Sequence, residues 1–131
     1  MNYITLLASD DYLDGVLVLY KSLRVTKCKY PFIAAITSTL NSHTLEVLKN
    51  LDIETVLVDK LECENVPPKN KWRLTYTKLH LFGLVQFSKL VYLDADMVVL
   101  ENLDHLFDKP HMSAVSAGSW SCVKTEKYSL N

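Results

Sequence analysis

Glycine is scarce in this 131-residue chain. Gly15, Gly83 and Gly118 are the three it has, too widely spaced for either a G-x-G-x-x-G turn or a G-x-x-x-x-G-K-S/T loop. The backbone cradles by which dinucleotide oxidoreductases and P-loop ATPases hold phosphates are therefore excluded, and a phosphate-bearing ligand needs another source of positive charge. Cysteine is as sparse. Cys28, Cys63 and Cys122 are odd in number and far apart, with no C-x-x-C pair or His/Cys cluster, which indicates neither a disulfide framework nor a zinc site. No apolar run approaches the roughly 18 residues that suggest a membrane span. The opening Met1-Asn2-Tyr3-Ile4 has no basic region, and its apolar run stops at Ser9-Asp10-Asp11, so no secretory signal is read and the cytoplasm is the expected compartment. A charge excess is missing too: 14 Lys+Arg against 15 Asp+Glu leave a net charge of -1. A general nucleic-acid binder carries a strong basic surplus, whereas Lys69, Lys71 and Arg73 form only a short, interrupted cluster.

What is present is a globular composition, 49% apolar and 22% charged, of a size expected for one domain spanning residues 1–131. Tyr3-Ile4-Thr5-Leu6-Leu7-Ala8 reads as a buried strand. Leu13, Val16, Leu17, Leu19, Tyr20 and Leu23 follow helical spacing over 12–24, with Ser9, Asp10 or Asp11 as the cap. Gly15 lies inside that helix at a cost of about 1 kcal/mol relative to alanine, which a close contact with the sheet would explain. A second strand is expected at 31–36 and a helix from Asn41-Ser42, with Leu45, Val47, Leu48 and Leu51 turned inward. A β-branched third strand follows at 53–58. Residues 60–72, with Pro67-Pro68, read as a loop, and 75–87 as a helix with Leu79, Phe82, Leu84 and Val85 on its buried side. Leu90-Val91-Tyr92-Leu93 forms a fourth strand that runs into Asp94-Ala95-Asp96. An extended piece at 97–100, a helical turn at 103–107 and a strand at 113–116 complete the expectation.

The β-α-β-α-β-α-β order predicts an α/β fold: a mostly parallel, doubly wound, Rossmann-like sheet with helices on both faces. Such sheets bind ligands beyond the carboxyl ends of their strands, where the strand order reverses. That point falls between the first and fourth strands, whose ends carry Ala8-Ser9-Asp10-Asp11 and Asp94-Ala95-Asp96. If the backbone stays extended, Asp94 and Asp96 point to one face and can reach one cation. Their hard oxygens suit Mn²⁺ or Mg²⁺, and such an ion would bridge the diphosphate of a sugar-nucleotide. The structural alternative is a solvated turn in which the two aspartates cap local amides. Lys78 is either a diphosphate contact or a solvated surface residue. Tyr12 either stacks on a base or ribose or packs in the core or at its rim. His80 reads as a packed or surface histidine, and Tyr3, Phe32 and Trp72 as packing residues.

Three stretches together resemble the retaining glycosyltransferases of family eight, the glycogenin and galactinol synthase group. They are Tyr3-Ile4-Thr5-Leu6-Leu7-Ala8-Ser9-Asp10-Asp11-Tyr12 with Gly15 and Leu17-Val18-Leu19; Thr77-Lys78-Leu79-His80; and Ser88-Lys89-Leu90-Val91-Tyr92-Leu93-Asp94-Ala95-Asp96-Met97-Val98-Val99-Leu100 with Asn102-Leu103-Asp104-His105-Leu106-Phe107. The resemblance implies a GT-A fold and a UDP-sugar donor, UDP-glucose or UDP-galactose, bound with Mn²⁺. By it, Leu6, Ala8, Ser9 and Tyr12 surround the uridine, Lys78 contacts the donor, Asp94 and Asp96 bind the metal, and Ala95 lies near the ribose. Ala8 and Ser9 stand where glycogenin-like proteins commonly have Thr and Asn. A further basic residue of the pattern corresponds to Lys69 or Arg73.

The resemblance ends near Trp120. The family's Asn-Ser-Gly strand, its Asp-Gly-Gly-Asp-Gln-like acidic site and its late histidine, which would supply acceptor contacts, a candidate catalytic group and a third metal ligand, have no counterpart here. The last stretch, 121–131, is a divergent polar tail. The implied activity is retaining hexosyl transfer to a hydroxyl. Two alternatives stand beside it. One is a truncated, non-catalytic remnant acting as a binding or assembly module. The other is a haloacid-dehalogenase-like phosphatase with Asp94 as nucleophile, Asp96 as general acid and Mg²⁺ as cofactor. An incomplete domain leaves apolar surface uncovered, so a homo-oligomer is expected, with neither nucleic acid nor membrane as a partner.

Overall fold

A computed structural model describes residues 1–61 and 71–115, the stretch 71–75 by its backbone alone. Four parallel strands, β1 (Asn2–Leu7), β2 (Phe32–Ile36), β3 (Glu54–Leu57) and β4 (Leu90–Tyr92), form one sheet in the order β3-β2-β1-β4. Helix α1 (Leu13–Val25) joins β1 to β2, and α2 (Ser42–Asn50) joins β2 to β3. Strand order reverses between β1 and β4, as the alternating sequence pattern predicts. β1 pairs Ile4 with Ile33 of β2 on one side and with Tyr92 of β4 on the other.

The pleat of β1 sorts its side chains into two layers. Tyr3 and Leu7 face α1 and α2, where Val16, Leu19, Leu23 and Leu48 close one core with Phe32 and Phe107. Ile4 points to the other face and joins Ile33, Ala35, Val58 and Leu81, flanked by Leu84, Phe87 and Tyr92. The central strands are apolar on both faces because both faces are covered, the usual arrangement of a parallel sheet. Tyr3 and Phe32 are packing residues, as expected, each nearly inaccessible to solvent. Trp72, Lys69, Lys71 and Arg73 have no described side chain.

Several local expectations are corrected. Residues 71–83 form a 3₁₀ helix in place of the α-helix expected over 75–87. Only Thr77 and Leu81 of its described side chains are buried; Leu79, Phe82 and Val85 are exposed, Phe82 by 69% and Val85 by 90%. No described residue packs against the side that carries Leu79, Phe82 and Val85, so these apolar side chains stay outside the core. Thr77 is fixed there by its hydroxyl, which accepts from the Leu61 amide at 3.2 Å. In α2, Thr44 and Leu48 meet the sheet while Leu45 and Leu51 are exposed. A nine-residue helix that touches the core along a single i, i+4 line leaves its flanking apolar residues outside. Residues 113–115 form no strand, and the final residue of that expected strand, Ser116, lies outside the described residues, as does the tail at 121–131. The turn expected near 103–107 is a 3₁₀ helix, Asp104–Asp108.

The chain that follows the D-x-D motif is tied to the C-terminal end of α1 and the residues just past it. Val99 N donates to Ser22 Oγ at 3.0 Å, and Asn102 Nδ2 donates to the Thr26 and Lys27 carbonyls at 3.3 and 2.9 Å. These last two bonds satisfy carbonyls that the end of a helix leaves free. Asp104 then accepts from the Lys29 amide and from the Tyr3 hydroxyl. Partial burial opposes ionisation of Asp104, but these hydrogen bonds and the Lys29 charge outweigh it and hold its carboxyl below the ordinary carboxylate value.

Candidate functional site

The switch point brings together two segments far apart in sequence. β1 ends at Leu7, and Ala8 and Ser9 lead directly into a 3₁₀ turn, Asp10–Tyr12, that opens α1. Ser9 is the residue that caps this turn, accepting from the Asp11 amide at 3.5 Å. Asp10 has a different task. Its Oδ1 accepts from the Asn41 amide at 3.1 Å and from the Thr44 hydroxyl at 2.6 Å, so it fastens the start of α2 to the crevice floor. Thr37 Oγ1 donates to the Ala8 carbonyl at 3.3 Å. Leu6, Ala8 and Ser9 are half-buried, and Tyr12 stands 50% exposed at the rim. That exposure leaves its ring available for stacking and removes it from the core.

β4 ends at Tyr92, and Leu93 N adds one further ladder bond to Ile4 O at 2.9 Å. The backbone then turns, closed by Met97 N donating to Asp94 O at 3.2 Å. The extended geometry expected to carry both aspartates on one face is therefore replaced by a turn over 94–97. Asp94 still follows the pleat of β4, two residues beyond Tyr92 and on the same face. The Tyr92 hydroxyl donates to Asp94 Oδ1 at 2.7 Å, and Lys78 Nζ donates to the same oxygen at 3.2 Å. The Lys78 ammonium also sits 5.2 Å from the centre of the Tyr92 ring, within cation–π range. Burial, the hydrogen bond to Asp94 and the charges of Asp94 and Asp96 push the Tyr92 hydroxyl well above its usual value, so it stays a donor. Lys78 reaches this place because the 71–83 segment covers the same face of the sheet as Tyr92. His80 is partly exposed on that segment.

Asp96, within the turn, is exposed and lines a shallow, open pocket of about 200 Å³ with Asp14, Gly15, Val18, Ala95, Met97 and Val98. That volume is below the roughly 300–1,000 Å³ of pockets that enclose a ligand. Gly15 explains itself here. A Cβ at Gly15 would overlap the Ala95 carbonyl oxygen and lie 3.3 Å from its carbonyl carbon. Neither described glycine, Gly15 or Gly83, has positive φ, so at Gly15 space and not backbone freedom requires glycine. The close contact expected for Gly15 is thus with the backbone of the D-x-D turn itself.

Sequence reasoning passed over Tyr92, reading it as an ordinary strand residue. Its signal was the i, i+2 relation to Asp94 across the end of a strand. The residues fit a divalent cation by the chemistry of the donor set: two exposed carboxylates, one of which already holds a cationic ammonium. Among the described residues no group of three or more His, Cys, Asp or Glu side chains gathers to hold a metal. A metal here would need ligands from water or from the phosphates it serves, as Mg²⁺-type ions usually do.

The fold and its crevice define a parallel α/β domain with an acidic turn at the end of a strand beside the switch point. The chain belongs to glycosyl transferase family 8, whose family model matches residues 3–126. It is 39% identical to galactinol synthase 3 of Arabidopsis thaliana over 94% of this chain and 38% of that protein. It is 35% identical to galactinol synthase 1 of Ajuga reptans over 97% of this chain and 39% of the relative. It is also 32% identical to human glycogenin-1, over 90% of this chain and 35% of that protein. The chain therefore spans less than two-fifths of the length of these relatives. A match to a glycosyl transferase family gives no support to the phosphatase alternative. Among the described residues no helix is long and apolar enough to cross a membrane.

Proposed function

We propose that the crevice between β1 and β4 binds a UDP-sugar, UDP-glucose or UDP-galactose, together with Mn²⁺ or Mg²⁺, and serves retaining transfer of a hexose to a hydroxyl acceptor. The observation that carries this reading is the cation held on Asp94 at the switch point, Lys78 Nζ on Oδ1 at 3.2 Å. A site that attracts an ammonium to a half-exposed carboxylate at a strand end is electrostatically prepared for a metal ion. Asp94 and Asp96 would hold the metal, and Lys78 would contact the diphosphate. Leu6, Ala8, Ser9 and Tyr12 would receive the uridine at the end of β1, with Ala95 near the ribose. When bound, the metal supplies Lewis-acid neutralisation of charge on the departing diphosphate. Tyr92 keeps Asp94 oriented by donating to Oδ1, and Asp10, by fastening α2, keeps the floor under Ser9 in place.

Calorimetric titration of UDP, UDP-glucose and UDP-galactose into the protein, with and without Mn²⁺, tests this directly. Binding at least about tenfold tighter with Mn²⁺ is the expected result, given about 1.5–3 kcal/mol per hydrogen bond to a charged group. Absence of UDP binding in both arms would reject the donor site and leave a folded module whose role lies in assembly.

We propose in addition that the chain self-associates. Phe82 and Val85 are 69% and 90% exposed, with Tyr76 and Leu79 exposed beside them on the same segment, an apolar surface that water disfavours. Light scattering should give a mass above 15.0 kDa that falls on dilution. A monomer at every accessible concentration would exclude it.

A further inference from the structure

We propose that Lys78 is the resident counter-cation of the D-x-D turn, so that metal binding alone is opposed and metal binds well only together with a nucleoside diphosphate. This deepens the proposed donor site and rests on it. The argument starts from the occupancy of one atom. Asp94 Oδ1 accepts from both the Tyr92 hydroxyl and Lys78 Nζ, which uses the two lone-pair positions a carboxylate oxygen offers. A cation that takes Oδ1 must displace one of the two. The tyrosine is the shorter contact and its ring is packed beside the core on that face of the sheet. The lysine is the longer contact, half exposed, on a flexible stem. Lys78 is therefore the group that leaves.

Its departure has a consequence for order. A displaced ammonium stays tethered near the dication that displaced it, and the two repel. An incoming diphosphate removes that repulsion, since its oxygens accept from the lysine while they complete the coordination of the metal. Lys78 thus acts with opposite sign in two equilibria: against the metal alone, and for the metal with its nucleotide.

Lys78→Met tests this, because methionine keeps an apolar stem over Tyr92 and removes the charge. Manganese affinity without nucleotide, read by electron paramagnetic resonance of free Mn²⁺, should rise about threefold, the scale of a half-exposed ion pair. UDP affinity at saturating Mn²⁺ should fall about tenfold or more, the scale of a lost charge-assisted hydrogen bond. Lys78→Arg, which retains charge, should not gain Mn²⁺ affinity. Unchanged far-UV dichroism and melting temperature establish that the fold is intact. Opposite shifts of the two constants are the signature. If both constants move the same way, or the first does not move, Lys78 is an ordinary donor contact and the inference fails while the donor site stands. If the unmodified protein shows no Mn²⁺-dependent UDP binding, the donor site itself fails and this inference with it.

Discussion

Replacing Asp94 and Asp96 together by asparagine is expected to abolish the metal-dependent part of UDP binding and to leave the fold almost untouched. The first half follows from charge. Asparagine keeps the shape and one carbonyl oxygen of each side chain, but a neutral amide is a far poorer partner for a divalent ion than a carboxylate. Two charged contacts at about 1.5 kcal/mol each amount to a loss on the order of 100-fold in affinity. The second half follows from exposure. The Lys78–Asp94 pair is half exposed, and such pairs contribute about 0–1 kcal/mol once solvent screening is allowed for. The Tyr92 hydroxyl keeps an acceptor in the asparagine carbonyl. Asp96 is exposed, where substitutions cost about 0.5 kcal/mol or less. The melting temperature should therefore move by no more than about 4 °C. The check is the calorimetric titration with and without Mn²⁺, run beside thermal unfolding. A double variant that retains full Mn²⁺ dependence would place the metal elsewhere. A collapse of the melting temperature would make the two aspartates part of the scaffold.

How far the sequence reveals this molecule depends on what each signal reports. Short apolar runs and β-branching located all four strands to within one or two residues, because central strands such as those carrying Ile4, Ile33 and Ala35 are buried where a parallel sheet is covered on both faces. Helical spacing located α1 for the same reason: Val16, Leu19 and Leu23 repeat along one line. Residues 75–87 show where this logic stops. Periodicity says that Leu79, Phe82 and Val85 share a side; it does not say whether another layer lies against that side, and here none of the described residues covers it. The site divides in the same way. Asp94 and Asp96 were legible as the end of a strand at the switch point, since topology alone fixes that. The extended geometry inferred for them was not correct, because a turn depends on a single bond, Met97 N to Asp94 O, that no pattern of residue types announces. The pairing of Lys78 with Asp94 needs the path of the 71–83 segment across the sheet face, which is a tertiary fact. Gly15 lies between these cases. A glycine inside an amphipathic helix signalled a close approach, but only the folded structure shows that the approaching atom belongs to Ala95.

That contact yields the second large effect. Gly15→Val should weaken metal-dependent UDP binding by about 100-fold, comparable with removal of the aspartates although it touches no ligand. At Gly15 any Cβ overlaps the Ala95 carbonyl oxygen, so either the helix or the turn must move. The helix is held: Val16 and Leu19 are fully buried in the core, and Ser22, Thr26 and Lys27 are bonded to Val99 and Asn102. The turn is held less firmly, by one backbone bond and by Asp94's contacts with two side chains. Displacement therefore falls on residues 94–97, which include both proposed metal ligands. A shift of about 1 Å in positioned groups costs on the order of 100-fold. Stability should also drop, by about 1–3 kcal/mol from overpacking. Gly15→Ala separates the two consequences. Alanine favours the helix by about 1 kcal/mol, which offsets part of the strain, yet its Cβ makes the same overlap with Ala95. A Gly15→Ala protein should thus melt near the unmodified protein and still bind UDP with a reduced Mn²⁺ dependence. If Gly15→Ala retains the full Mn²⁺ effect, the turn tolerates displacement and Gly15 serves packing alone; if both variants lose binding while Gly15→Ala stays folded, α1 is what sets the aspartates in place.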